Sequence, residues 1–210
     1  ILTLCYEHGF VVPRLLDCLF TSPGERKRRV RELVCAGYLD RRSSPISDEI
    51  QILRLTRSGI LEVEGDYPYR IHQKRQLSPA IFTHDCKLIE ARLQIEAKWR
   101  GTWTPESRLA QEDRDIPDGI FTFASGKAVY LELENSLKSR KRFLRRLKKF
   151  QEPILTLYIT TKPELTRALQ KYLASDSDIP PAAILPLEFG EAPKAWTPSG
   201  PIYPFKNREV

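Results

Sequence analysis

The sequence predicts a chain of mixed α and β structure in two parts, a helix-rich α+β unit followed by an α/β unit built as a mixed sheet flanked by helices. Two observations carry this prediction. Apolar residues recur with helical spacing through residue 36 and then alternate across a hairpin, whereas beyond residue 80 helical and strand-like segments succeed one another. With 210 residues and 41% hydrophobic side chains, the chain can build a core in each part. The parts read as 1–64 and 81–190, with a polar linker at 65–80 and a proline-rich tail at 191–210.

In the first part Ile1, Leu4 and Cys5 begin a helix that Gly9 stops. Val12–Phe20 reads as a second helix with Pro13 in its first turn. Ser22 caps a third, from about Pro23 to Ala36, which buries Val30, Leu33 and Val34 and ends at Gly37. Tyr38–Arg42 and Ile50–Leu55 alternate around a polar turn containing Pro45, the pattern of a β-hairpin, and Thr56–Glu64 closes the unit as a helix. The third helix carries Arg26, Lys27, Arg28, Arg29 and Arg31 on its solvent side. A helix that enters a DNA major groove needs this division, with one stripe buried on its scaffold and a cationic face for phosphates and base edges. Arg26, Arg28 and Arg29 suit bases, Lys27 and Arg31 suit phosphates, and Arg41 and Arg42 in the hairpin suit the neighbouring backbone or minor groove. The competing readings are a solvated face and a protein contact in a homodimer. The run from Arg29 to Arg42 (RVRELVCAGYLDRR) with Leu53–Gly59 (LRLTRSG) resembles bacterial winged-helix domains, which implies a winged helix-turn-helix bound to double-stranded DNA.

The second part reads as helix Ile81–Lys98, a loop containing Trp99 and Trp103, strand Ile116–Phe123, a turn at 124–127, and strand Ala128–Glu134. Helix Ser139–Phe150, strand Ile154–Thr160, helix Pro163–Ala174 and strand Ala182–Phe189 follow. Asp118 starts one strand of a hairpin, and Glu132 and Glu134 stand two apart on its partner, so both glutamates share a face with Tyr130. Buried ionised carboxylates are costly unless solvated, paired or metal-bound, and a basic helix just downstream competes with Mg²⁺ or Mn²⁺ for that role. Residues 138–149 hold eight basic side chains in twelve positions. With Phe143, Leu147 and Phe150 as the buried stripe, Arg140, Lys141, Arg142, Arg145, Arg146, Lys148 and Lys149 face outward and predict a second, sequence-independent DNA contact.

The element order and the motif PDG…LELENS look like the PD-(D/E)XK nuclease fold, and in particular like the signature of the bacterial replication-relaxation family, over most of residues 1–160. The resemblance implies a winged helix-turn-helix joined to a restriction-endonuclease-like mixed sheet flanked by helices. It makes Asp118 the motif aspartate, Glu132 the motif glutamate and Glu90 a first-helix metal ligand, with Glu96 second, around Mg²⁺ or Mn²⁺. The motif lysine position holds Glu134, and Lys138 is the nearest replacement. The implied protein is a DNA-binding factor of a plasmid or mobile element, acting in replication, mobilisation or transcriptional control, with weak or absent cleavage. A metal-dependent endonuclease or nickase, and a repressor whose second part only dimerises, are the alternatives.

Charge agrees with a polyanionic partner. The net charge is +7, and basic and acidic residues number 13 and 10 in 1–80, 15 and 11 in 81–160, and 6 and 6 in 161–210, so the excess lies in the first 160 residues. Cys5, Cys18, Cys35 and Cys86 form no CxxC pair and read as reduced core thiols rather than a zinc site. No apolar run approaches the roughly 20 residues of a membrane helix, and no signal peptide is recognisable, so a cytoplasmic location without a small-molecule cofactor is expected. His8, His72 and His84 are isolated and predict structural roles.

Overall fold

The computed structural model describes residues 1–67, 77–109, 116–148, 155–175 and 180–187, together with the backbone of 194–197 and 200–202. The architecture is mixed α+β, and the chain divides into two units, Ile1–Leu93 and Gln94–Val210.

The first unit opens with α1 (Leu2–His8), whose C-cap Gly9 has φ 79°. The expected second helix is a 3-10 helix, Pro13–Leu19, that buries only Leu16 completely. Helix α2 (Pro23–Cys35) starts where the sequence predicts: the Ser22 hydroxyl accepts from the Glu25 N–H, and the Glu25 carboxylate accepts in return from the Thr21 N–H and hydroxyl. It ends in a turn whose Gly37 has φ 76°, a left-handed conformation that favours glycine. Strands β1 (Leu39–Ser43) and β2 (Gln51–Leu55) pair antiparallel. Val11 adds a one-residue strand on β2, exchanging both backbone hydrogen bonds with Leu53 at 2.9 and 2.8 Å. Helix α3 (Arg57–Glu64) is capped by Thr56, whose hydroxyl accepts from Gly59 N–H and donates to the Gly37 carbonyl, tying this helix to the end of α2.

Helix α4 (Pro79–Lys98) departs from the expected division. Its Phe82, Ile89 and Leu93 join the core of Leu4, Tyr6, Phe10, Leu16, Val30 and Leu53, so the first turns of a helix assigned by sequence to the second part belong to the first unit. The buried Arg92 guanidinium bonds the buried Glu7 carboxylate and approaches His8 Nε2 at 3.2 Å, while the Tyr67 hydroxyl donates to Glu7 at 2.9 Å. Burial, with the Arg92 charge beside it, lowers the His8 imidazole to about 3 and keeps it neutral. Most of the expected linker lies outside the described residues, as does His72.

In the second unit a seven-stranded sheet runs in sequence order: β3 (Gly101–Pro105), β4 (Gly119–Phe123), β5 (Ala128–Glu134), β6 (Leu155–Thr160), β7 (Ala182–Pro186), β8 (Lys194–Thr197) and β9 (Gly200–Ile202). Helix α5 (Glu106–Leu109) follows β3, α6 (Arg140–Leu147) follows β5, and α7 (Pro163–Ala174) follows β6. Strands β5, β6 and β7 are parallel, as crossovers through α6 and α7 require, and the remaining pairings are antiparallel. One face of the central strands is entirely apolar, with Val129, Leu131, Leu133, Leu157, Ile159, Ala183 and Leu185 all buried. On the other face Tyr158, Ala182 and Ile184 pack with Phe143, Leu144 and Leu147 of α6 and with Leu169 and Leu173 of α7.

The segment expected as a loop contains β3, and the proline-rich tail contains β8 and β9. Two cysteines correct the expectation of core thiols, since Cys18 and Cys35 are exposed, while Cys5 is buried and Cys86 half-buried. Among the described residues no helix is long and apolar enough to cross a membrane.

Candidate functional site

The carboxylates sit where strand alternation puts them. β4 and β5 pair Gly119 with Leu131, so Asp118, one step outward, faces Glu132 on the same side of the sheet. The Asp118 carboxylate accepts the Leu133 N–H at 2.7 Å and prolongs the ladder beyond the strand end with a side chain. On the other flank the parallel register sets Glu132 beside Tyr158 and Glu134 beside Thr160. Gly119 is dictated by packing, because a Cβ there would stand 2.8 Å from Trp103 Cζ2. Trp103 is fully buried and pairs in register with Phe121; Trp99 meets Phe121 and Phe123 with ring centroids 6.1 and 5.8 Å away, so both tryptophans pack against the sheet.

Both glutamates are buried and both hold a cation. Arg146 donates Nε to one oxygen of Glu132 at 2.8 Å and Nη2 to the other at 2.9 Å, the forked geometry of a guanidinium–carboxylate pair. Lys138 reaches back, as the sequence suggests it could, and places Nζ 2.6 Å from Glu134 Oε1. Burial pushes the Glu132 carboxyl up to about 7, the Asp118 charge acts in the same direction, and Arg146 opposes both. Burial also raises Glu134, against Lys138. Tyr158 is raised well above the ordinary phenol value, first by burial and then by the charges of Glu132 and Glu134. Its buried hydroxyl and that of Thr156 have no hydrogen-bond partner among the described residues. Sequence reasoning missed this pair, although the alternation Thr156, Tyr158, Thr160 in LTLYIT was a visible signal of a polar stripe.

These contacts test the fit of a divalent ion. Both oxygens of Glu132 are taken by Arg146, one of Glu134 by Lys138 and one of Asp118 by a backbone N–H. No group of three or more His, Cys, Asp and Glu side chains among the described residues is gathered so as to hold a metal ion. As arranged, the donors do not fit Mg²⁺ or Mn²⁺, because a metal would have to displace two side-chain cations. Glu90, expected as a further ligand, belongs to the unit ending at Leu93 and pairs with Lys87 at 2.8 Å, and Glu96 is exposed.

The cationic surfaces also divide more finely than their sequences suggest. On α2, Lys27 and Arg31 are exposed and have no partner among the described residues, whereas Arg28 and Arg29 share Glu32. Arg26 is a correction: its side chain is only 13% exposed and is turned onto Asp17 of the preceding 3-10 helix at 3.3 Å. On the hairpin Arg41 is exposed without a partner among the described residues, and Arg42 bonds Asp40 at 2.8 Å. On α6, Lys141, Arg142 and Arg145 are exposed and without a partner among the described residues, Lys148 is exposed, and Arg140 bonds the Ser175 hydroxyl and carbonyl. Arg146 corrects the outward expectation, since its long stem folds back under the helix to Glu132. Lys149 and Phe150 lie outside the described residues.

No known protein family matches the chain, and neither a curated protein nor a solved structure does.

Proposed function

We propose that the chain is a double-stranded-DNA-binding protein whose first unit is a winged helix-turn-helix and whose second is a PD-(D/E)XK nuclease-like core with little or no cleavage activity. The observation that carries this reading is the outer side of α2. Lys27 and Arg31 project from a helix whose Val30 and Leu33 are buried, without a partner among the described residues, and a hairpin bearing Arg41 follows it. The order α1, 3-10 helix, α2, hairpin, with Val11 as a short third strand, supports a winged helix, in which α2 would enter the major groove. In the second unit, Asp118 facing Glu132 at the end of a strand pair supports the nuclease-like reading. Engagement of both glutamates by Arg146 and Lys138, with Glu134 in the motif lysine position, supports weak or absent chemistry. The resemblance to the replication-relaxation family directs the reading to plasmid or mobile-element DNA.

Fluorescence anisotropy on labelled duplexes tests it. Lys27→Glu with Arg31→Glu in the full chain is expected to weaken binding by at least about tenfold near physiological salt, and neutral substitutions to lower the salt slope by about one unit per lost phosphate contact. Unchanged affinity in the doubly reversed variant would sink the assignment of α2 to the groove. Efficient nicking of supercoiled plasmid by the wild type, abolished by Glu132→Ala, would instead make the protein a nickase.

A further inference from the structure

We propose that the outer side of the helix layer formed by α6 and α7 is a second nucleic-acid surface, on which Lys141, Arg142 and Arg145, together with Arg167 and Lys171, take the phosphate backbone of duplex DNA without reading its sequence. The inference deepens the DNA-binding reading and rests on it for the class of partner, but it concerns residues of the second unit alone. Both helices lie on one side of the sheet. Phe143, Leu144 and Leu147 share a core with Leu169 and Leu173 over Tyr158 and Ile184, and the Phe143 and Tyr172 rings are 5.9 Å apart. The five cations are exposed, and none has a partner among the described residues. α6 contains no acidic residue and α7 a single one, Glu164 in its first turn.

The charges of α6 work against the helix that bears them. A helix N-terminus is the positive end of the helix dipole, so acids stabilise a first turn and cations disfavour it. α7 follows that rule with Glu164, whereas α6 opens on Arg140, Lys141 and Arg142. Arg140 is accounted for, since it donates to the Ser175 hydroxyl and carbonyl at the end of α7. Lys141 and Arg142 are not, and Lys141 stands one turn from Arg145, a like-charge pair that disfavours the helix further. An anionic partner relieves such self-repulsion. The neighbouring residues decide which partner. The apolar residues of α6 are buried against the sheet, so its outer side has nothing apolar to enter a bilayer. Single strands stack their bases on aromatic rings, and neither helix exposes one: Phe143 is buried and Tyr172 half-buried. What remains is fixed point charge, which suits the repeating phosphates of a duplex.

The test is fluorescence anisotropy of the 210-residue chain on a labelled random-sequence duplex over a series of salt concentrations. Lys141→Gln with Arg142→Gln and Arg145→Gln is expected to weaken binding at least about tenfold near physiological salt and to lower the salt slope by about two to three units; Arg167→Gln with Lys171→Gln is expected to lower it by about one to two. Without DNA the triple variant is expected to melt no lower than the wild type, because the substitutions remove only repulsion. A lower midpoint would show that these cations hold the fold, and would overturn the proposal. An unchanged slope in the triple variant would overturn it as well, and would leave the α2 reading standing if Lys27→Glu with Arg31→Glu still weakens binding. A weakened triple variant beside an unaffected Lys27→Glu, Arg31→Glu protein would instead sink α2 as the groove helix and keep α6 as a DNA contact. Binding of polyglutamate as tight as that of the duplex would replace nucleic acid by an acidic protein as the partner.

Discussion

Glu132 ties the chemistry of the sheet to the stability of the fold. Its ordinary value is 4.5, and burial among apolar strands raises it to about 7 in the folded protein. Between those values the folded chain holds a proton that the unfolded chain has released, so the contribution of this group to stability falls as pH rises through the window and levels off above it. A glutamine cannot ionise. The difference in unfolding free energy between wild type and Glu132→Gln is therefore expected to decline from about pH 4.5 to about pH 7, by about 3 kcal/mol at most. Denaturant titrations at a series of pH values measure it, and a difference flat across the window would show that Arg146 keeps Glu132 ionised throughout.

Among the elements, β4 holds the site in place through a residue with no side chain. A methyl group at position 119 would stand 2.8 and 2.9 Å from two atoms of the Trp103 indole, which is itself buried and cannot yield. Gly119→Ala is expected to cost about 1–3 kcal/mol, the usual range for overpacking, and to disturb Asp118 next to it; urea unfolding measures the loss. The strands and helices bearing the carboxylates were readable because their signals are local: alternation marks Ala128–Glu134, and Ser22 and Ser139 mark helix starts. Strand β3 was not, since Gly101–Pro105 buries only Trp103 and Pro105 and lacks an alternating run. The 3-10 helix also escaped, because Leu15, Leu16, Leu19 and Phe20 fit a helical period whichever helix forms. Arg146 was misread for another reason. Periodicity places a backbone position on a helix but cannot say where a long, flexible side chain ends, and at the margin of the buried stripe that decides whether its charge meets solvent or Glu132.

For the whole chain, the unit boundary shows the limit of periodicity. An amphipathic helix declares that one side will be buried, not against which core, so α4 was assigned to the sheet although Phe82, Ile89, Leu93 and the Arg92–Glu7 pair bind it to the helices before it. The sheet has a consequence of its own at its far margin. Its last two strands, β8 and β9, continue the ladder past β7, whose Ala182–Leu185 are buried. A chain ending at residue 190 would retain all the candidate site residues, yet it would leave the edge of β7 away from β6 unpaired along an apolar strand, a template for another copy. Such a chain is expected to polymerise through its margins at high concentration, with light scattering that rises over time while the 210-residue chain stays clear. On that expectation β8 and β9 guard the margin of the sheet against fibre growth.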